Sequence, residues 1–153
     1  MSLWNSAFET GNELVDNDHK EIFSLVETVL ASSLKSRKEK VQASIEFLAN
    51  YVVRHFGNEE RLMDESGYPR SAIHKKEHSD FLVVATQLQE KFKNDGYSLG
   101  EITDETADAS KALHLSLEIN KTVMGWLSKH VMGSDRDLAN HYKKWKDAQS
   151  PIG

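Results

Sequence analysis

The sequence predicts an all-α protein: an antiparallel up-down four-helix bundle with an N-terminal arm and a short C-terminal helix. Only two prolines and eight glycines interrupt 153 residues. Between those interruptions apolar residues recur three and four positions apart, the spacing that lines one face of an α-helix. Four such stretches joined by short links fold back on one another as a bundle.

An arm carrying Trp4 and Phe8 comes first, and the first helix runs from Asp16 to about Leu34 with Ile22, Phe23, Val26 and Leu30 in phase. The polar stretch from Ser32 to Lys40 closes it. A second helix spans about Lys38 to Glu65 on the stripe Val41, Ile45, Leu48, Val52 and Leu62. Gly67-Tyr68-Pro69 ends it, because glycine accepts the left-handed turn at a helix terminus and proline cannot continue the helix. The third spans about Arg70 to Lys93, with Phe81, Ala85, Leu88 and Phe92 in phase and Asn94-Asp95-Gly96 as its stop. The fourth spans about Thr103 to Met132, capped by Thr103 with Asp104 and Glu105 in its first turn. Gly133-Ser134 interrupts it, and Asp135 to Lys146 forms the short terminal helix.

No repeat, low-complexity tract or linker divides the chain, which reads as one domain over residues 1–153. The absence of cysteine excludes disulfides, thiolate nucleophiles and Cys-ligated metal. The longest unbroken apolar run, Phe81 to Ala85, falls far short of the roughly 18 residues of a membrane span. Charges at Glu9, Glu13, Asp16 and Asp18 leave no room for the apolar core of a signal peptide, so a cytoplasmic location is expected. With 19 basic against 24 acidic residues and a formal charge of −5, nucleic acid is not an expected partner. A monomer is expected.

The histidines fall where leucines would be expected. On the second helix the stripe Val41, Ile45, Leu48, Val52 continues in four-three spacing to His55, Glu59 and Leu62. On the third, the stripe that ends Phe81, Ala85, Leu88, Phe92 begins with His74 and His78. His19 is in phase with Phe23 and Val26, and His130 with Ile119, Val123 and Leu127. A single inward histidine is most often a hydrogen-bonded core residue. Five of them with a buried Glu are another matter, since each unpaired polar group costs a few kcal/mol in an apolar interior. A metal compensates that cost, and residues at i and i+4 share one helical face, so His55/Glu59 and His74/His78 are each a two-ligand clamp. His114 and His141 lie outside the pattern. Five imidazoles exceed what one four-coordinate zinc needs. With Glu59 and Asp135 the donors number seven, which points to two metals; imidazole with bridging carboxylate suits iron. Asp135 is five residues beyond His130, off its face in a regular helix unless the Gly133 break redirects the chain.

The same residues resemble the hemerythrins, specifically the bacterial hemerythrin-like proteins. The likeness covers most of the chain: Trp4, Asp16-Asn17-Asp18-His19, His55-Phe56-Gly57-Asn58-Glu59-Glu60 with Met63, Tyr68-Pro69, His74, His78 and Phe81, Trp126-Leu127-Ser128-Lys129-His130, and Asp135. It implies that His74, His78 and His130 hold one iron and His19 and His55 the other, with Glu59 and Asp135 bridging and a solvent-derived oxo or hydroxo group as third bridge. It further implies that dioxygen binds reversibly at the iron with two histidines, for carriage or storage and without catalysis. Leu127 would overhang that open position, with Trp126 nearby. Asp18 stands where the family commonly has glutamine, which bears on the surroundings of His19. The segment from Asn94 to Ala112 looks longer than the family's compact connection.

Other functions fit parts of the sequence. The same site could sense oxygen or redox state as part of a longer signalling protein. His74-Lys75-Lys76-Glu77-His78 also matches the HxxEH string of zinc proteases whose Glu acts as general base, but that leaves His19, His55, Glu59 and His130 without a role. Ferritin-like carboxylate proteins carry Glu-x-x-His motifs, and this sequence has none. Without its metals, Glu59 would have to take up a proton or admit water.

Overall fold

The computed structural model describes the backbone of residues 2–32, 34–94 and 105–150, and the side chains of all of these except 34–38, 105–109, 111 and 112. Helices dominate: α1 (Glu13–Ala31), α2 (Leu34–Ser66), α3 (Ser71–Asn94), α4 (Glu105–His130) and α5 (Arg136–Gln149). A single 3-10 turn, Ser6–Phe8, lies in the N-terminal arm, and a π turn, Val131–Asp135, joins α4 to α5. No strand occurs among the described residues. Among the described residues no helix is long and apolar enough to cross a membrane. The sequence-predicted Asp95-Gly96 stop, the Thr103 cap and the core of the long 94–112 segment lie outside the described residues.

Local chemistry explains the boundaries. Helix α1 begins at Glu13, earlier than the hydrophobic period indicates, because the Asn12 side chain accepts a hydrogen bond from the Val15 N–H at 3.2 Å and Glu13 and Asp16 load the positive end of the helix with negative charge. At its other end Ser32 turns its N–H and its hydroxyl back onto the Val29 carbonyl, at 3.3 and 2.6 Å. The chain leaves the helix there, and α2 starts within the stretch expected to be a polar link. Leu30 is accordingly 38% exposed, and Val29 takes the inward position instead. Helix α2 ends at Gly67 (φ +60°), with the Tyr68 N–H bonded to the Met63 carbonyl at 3.0 Å. Tyr68 and Met63 also share one apolar cluster, so bond and contact together form the six-to-one helix closure.

The 33-residue α2 is the hub, packing against α1, α3, α4 and α5. The main apolar core joins Phe23, Val26, Ile45, Val52, Phe81, Leu88, Ile119 and Leu127. A smaller cluster of Val15, Leu62, Met63, Tyr68 and Leu138 closes the other end. Each helical path crosses from one cluster to the other, and each crosses at polar residues. His19 lies between Val15 and Ile22, Glu59 between Phe56 and Leu62, His74 and His78 between Tyr68 and Phe81, and His130 and Asp135 between Leu127 and Leu138. A polar layer is thus sandwiched between two apolar ones.

Candidate metal centre

All seven residues expected from the sequence meet in that layer, and none exceeds 4% exposure. The five imidazoles all present Nε2 to the centre. Glu59 and Asp135 divide their oxygens between two groups of histidines. Glu59 Oε1 faces His55 at 3.1 Å and His19 at 3.9 Å, while its Oε2 faces His78 at 2.9 Å, His74 at 3.2 Å and His130 at 4.0 Å. Asp135 Oδ2 faces His19 at 2.8 Å, and its Oδ1 faces His130 at 2.8 Å and His74 at 2.9 Å. Two overlapping sets of donors result: His74, His78 and His130, or His19 and His55, each with the same two carboxylates. Either set could hold a metal ion.

The directions of these groups fit a cation better than they fit each other. His55 Nε2 and Glu59 Oε1, and likewise His19 Nε2 and Asp135 Oδ2, approach to ion-pair distance, yet none of the four atoms has a hydrogen-bond partner. His74 Nε2 and His130 Nε2 lie only 3.0 Å apart. Buried polar atoms are nearly always satisfied, and a cluster whose lone pairs aim at common points rather than at one another is satisfied by an ion placed there.

Asp135 reaches the centre through the π turn. The expected break at Gly133 does not occur: the backbone stays helical, Gly133 keeps negative φ, and the Arg136 N–H bonds to the Val131 carbonyl five residues back. The wider turn returns residue i+5, instead of i+4, to the face of residue i, which places Asp135 beside His130. The expected interruption followed by a separate helix is therefore a continuous helical path with one widened turn.

Three carboxylates back the imidazoles from outside. Asp18 Oδ2 lies 3.2 Å from His55 Nδ1, Glu60 Oε1 lies 3.2 Å from His78 Nδ1, and Glu77 Oε2 lies 2.7 Å from His130 Nδ1. Ser134 Oγ donates to the same Glu77 oxygen at 2.6 Å. Asp18 and Glu60, hydrogen-bonded to His55 and His78, fix the tautomer and raise the basicity of the nitrogen that faces a metal, while Glu77 stands at ion-pair distance from His130 without a hydrogen bond. Asp18, expected to bear on the neighbouring His19, serves His55 on the adjacent helix, because successive residues of a helix point about 100° apart. Glu77, the acid of the HxxEH string, sits behind the His130 ring and not on the side where a metal-bound water would lie. Sequence reasoning missed Glu60 and Glu77 in this role; the available signal was an acid directly adjoining an inward residue, beside Glu59 and His78.

Aromatic rings hold the imidazoles in plane. Phe56 stacks on His78 (3.8 Å, 6°), Trp126 on His130 (4.1 Å, 17°) and Tyr51 on His55 (5.3 Å, 21°). Trp126 also meets Phe81 and Phe56, so it stands on the three-histidine side. Leu127 is fully buried in the main core, one turn before His130. The arm closes the other side: Trp4 and Phe8 pack on Phe23, and Arg136 donates to the Ala7 carbonyl. His114 is exposed, and His141 Nε2 lies 3.0 Å from the Ser66 carbonyl at the end of α2, both outside the centre as expected.

In the metal-free protein, protons substitute for cations. Burial pushes His55 and His74 down, but Glu59 and Asp18 around His55, and Asp135 and Glu59 around His74, outweigh it and raise them to about 10 and about 9. Burial pushes Glu59 and Asp135 up, and Glu59 pushes Asp135 further, yet the imidazoles hold both carboxyls below their usual range. These directions favour an ionised Glu59 beside protonated His55 and His74, an alternative to the expectation that it takes up a proton or admits water.

A helical bundle with an internal layer of five histidines and two shared carboxylates defines a histidine-rich, carboxylate-linked metal-binding protein. The chain belongs to the hemerythrin family, its residues 10–142 matching the hemerythrin HHE cation binding domain. It is 25% identical to a bacteriohemerythrin of Stenotrophomonas maltophilia over 94% of this chain and 82% of the relative. A bacteriohemerythrin of Methylococcus capsulatus is 34% identical over 60% of this chain and 71% of its own length. One from Clostridium acetobutylicum is 26% identical over 90% and 98%.

Proposed function

We propose that this protein binds dioxygen reversibly at a di-iron centre and serves in oxygen carriage or storage as a single-domain monomer. The observation that carries the reading is the division of carboxylate oxygens: Glu59 turns one oxygen to His74, His78 and His130 and the other to His19 and His55, and Asp135 turns one to His74 and His130 and the other to His19. That pattern suits two adjacent ions sharing two bridges, with His74, His78 and His130 on one and His19 and His55 on the other. When bound, the iron pair supplies reducing electrons and, on the ion with fewer protein ligands, a position open to a small ligand. The chain supplies the rest. The ionised carboxylates offset part of the charge of the ions and the Nε2 lone pairs coordinate them, the stacked rings of Tyr51, Phe56 and Trp126 hold the imidazoles in place, and we assign Leu127 to keep water from the open position. Trp126, stacked on His130, contributes to the wall on the three-histidine side.

The experiment is elemental analysis followed by stopped-flow mixing of the reduced, iron-loaded protein with oxygen. Two irons per chain and a visible band that forms with oxygen and disappears on deoxygenation are expected. One zinc and no iron after expression with iron supplied would reject the centre, and two irons without a reversible band would reject oxygen carriage.

A further inference from the structure

We propose that Asp18 is the positioning residue that sets the metal affinity of the two-histidine half of the centre, independently of the three-histidine half. The proposal rests on the two-metal reading above. In that half, His19 Nδ1 is buried and has no hydrogen-bond partner. His55 Nδ1 faces Asp18 Oδ2 at 3.2 Å, so among the described residues Asp18 is the one carboxylate behind either imidazole of the pair.

Asp18 is built into its place. It is 6% exposed. Asn58 Nδ2 donates to its Oδ2 at 3.0 Å, and the Arg54 guanidinium lies 3.7 Å from Oδ1. Its backbone carbonyl accepts the Tyr51 hydroxyl at 2.6 Å, and the Tyr51 ring stacks on His55. Three residues of α2 thus fix a carboxylate of α1 against an imidazole of α2. An Nδ1–H donating to a fixed carboxylate commits the Nε2 lone pair to the centre and makes it a stronger donor. A neutral amide at position 18 keeps the shape but removes the charge.

The three-histidine half is backed differently. His78 and His130 face Glu60 and Glu77, whose side chains are 37% and 36% exposed. Water competes for those carboxylates, and three imidazoles share the load. The half with two imidazoles depends on one buried acid.

The test titrates metal-free protein with Co(II), read by its visible ligand-field bands and by calorimetry. Wild type is expected to take two equivalents. In Asp18→Asn one equivalent binds as in wild type and the other about 10 to 100-fold more weakly, the usual effect of removing such a partner. Glu60→Gln, which removes the charge hydrogen-bonded to His78 Nδ1, weakens the step that Asp18→Asn leaves unchanged. Asp18→Glu, which keeps the charge, retains the second equivalent within a few-fold. Equal weakening of both steps by Asp18→Asn, or a loss in Asp18→Glu as large as in Asp18→Asn, would overturn the proposal, since the first marks a general structural role and the second shows that charge is not the lever. A single equivalent in the wild type would instead reject the two-metal reading itself.

Discussion

Histidines that face one polar layer from four directions do not contribute alike, and single substitutions separate them. His55→Ala removes one of two imidazoles from its half and is expected to halve the iron content, whereas His114→Ala, at an exposed position, leaves it unchanged; elemental analysis of the two proteins checks this. Leu127 is 1% exposed, and Leu127→Ala is expected to cost about 2–5 kcal/mol of stability through the cavity left behind. If the side chain covers the open position, the same change speeds oxidation to the di-ferric form and azide binding, read by absorbance. Unchanged rates with the expected stability loss would make Leu127 a core residue and nothing more. At this scale the sequence was legible wherever helical phase decides direction, which is why His19, His55, Glu59, His74, His78 and His130 could be placed inward from spacing alone. It was not legible where a contact crosses between helices. Asp18 adjoins His19 in sequence, yet its carboxylate meets His55, a pairing set by the relative rotation of α1 and α2 that no single-helix period encodes.

Among the elements, the π turn is the one on which the centre depends most and the one the period hides. Gly133 and Ser134 read as a break because both are poor helix formers, but the turn widens without breaking, and neither φ nor crowding requires glycine at 133: a Cβ there meets nothing within 4 Å. Gly133→Ala is therefore expected to keep both metals and to raise the melting temperature slightly, since alanine favours a helix over glycine by about 1 kcal/mol. Inserting one alanine after Gly133 is expected instead to lose metal and to lower the melting temperature. An extra residue in a turn that is already widened would rotate everything beyond it by about 100°, taking Asp135 off the centre and Leu138, which is fully buried, out of its cluster. Metal analysis and thermal melts of the two variants side by side test this, and an insertion variant that retains two metals would show that Asp135 is dispensable. Boundaries at α1 and α2 were misjudged for a related reason: capping by Asn12 and the back-bonding of Ser32 act through single hydrogen bonds, which hydrophobic period does not register.

For the whole molecule, the polar layer links folding, protonation and metal. His55 and His74 stand at about 10 and about 9 in the metal-free protein, against 6.5 for the unperturbed side chain. Groups bound more tightly to protons when folded add stability that is complete below pH 6.5 and is lost as pH rises through 9 and 10. The lowered Glu59 and Asp135 act in the opposite sense, adding stability present above about pH 4 to 4.5 and lost as pH falls through their folded values. The metal-free bundle is thus expected to melt highest between about pH 4.5 and 6.5 and progressively lower toward pH 10. Metal changes the bookkeeping because ligation needs neutral imidazole. At pH 7 both His55 and His74 are protonated in the metal-free protein, so filling the centre must expel about two protons per chain from these residues. The number should decline as the titration is repeated at higher pH, to less than one proton per chain near pH 10, and the melting temperature of the loaded protein should not follow the alkaline decline of the metal-free one. A pH-stat titration of metal-free protein with a divalent ion measures the release directly. If no protons appear at pH 7 while metal binds fully, the imidazoles are neutral before loading, and the charge compensating Glu59 and Asp135 must come from elsewhere.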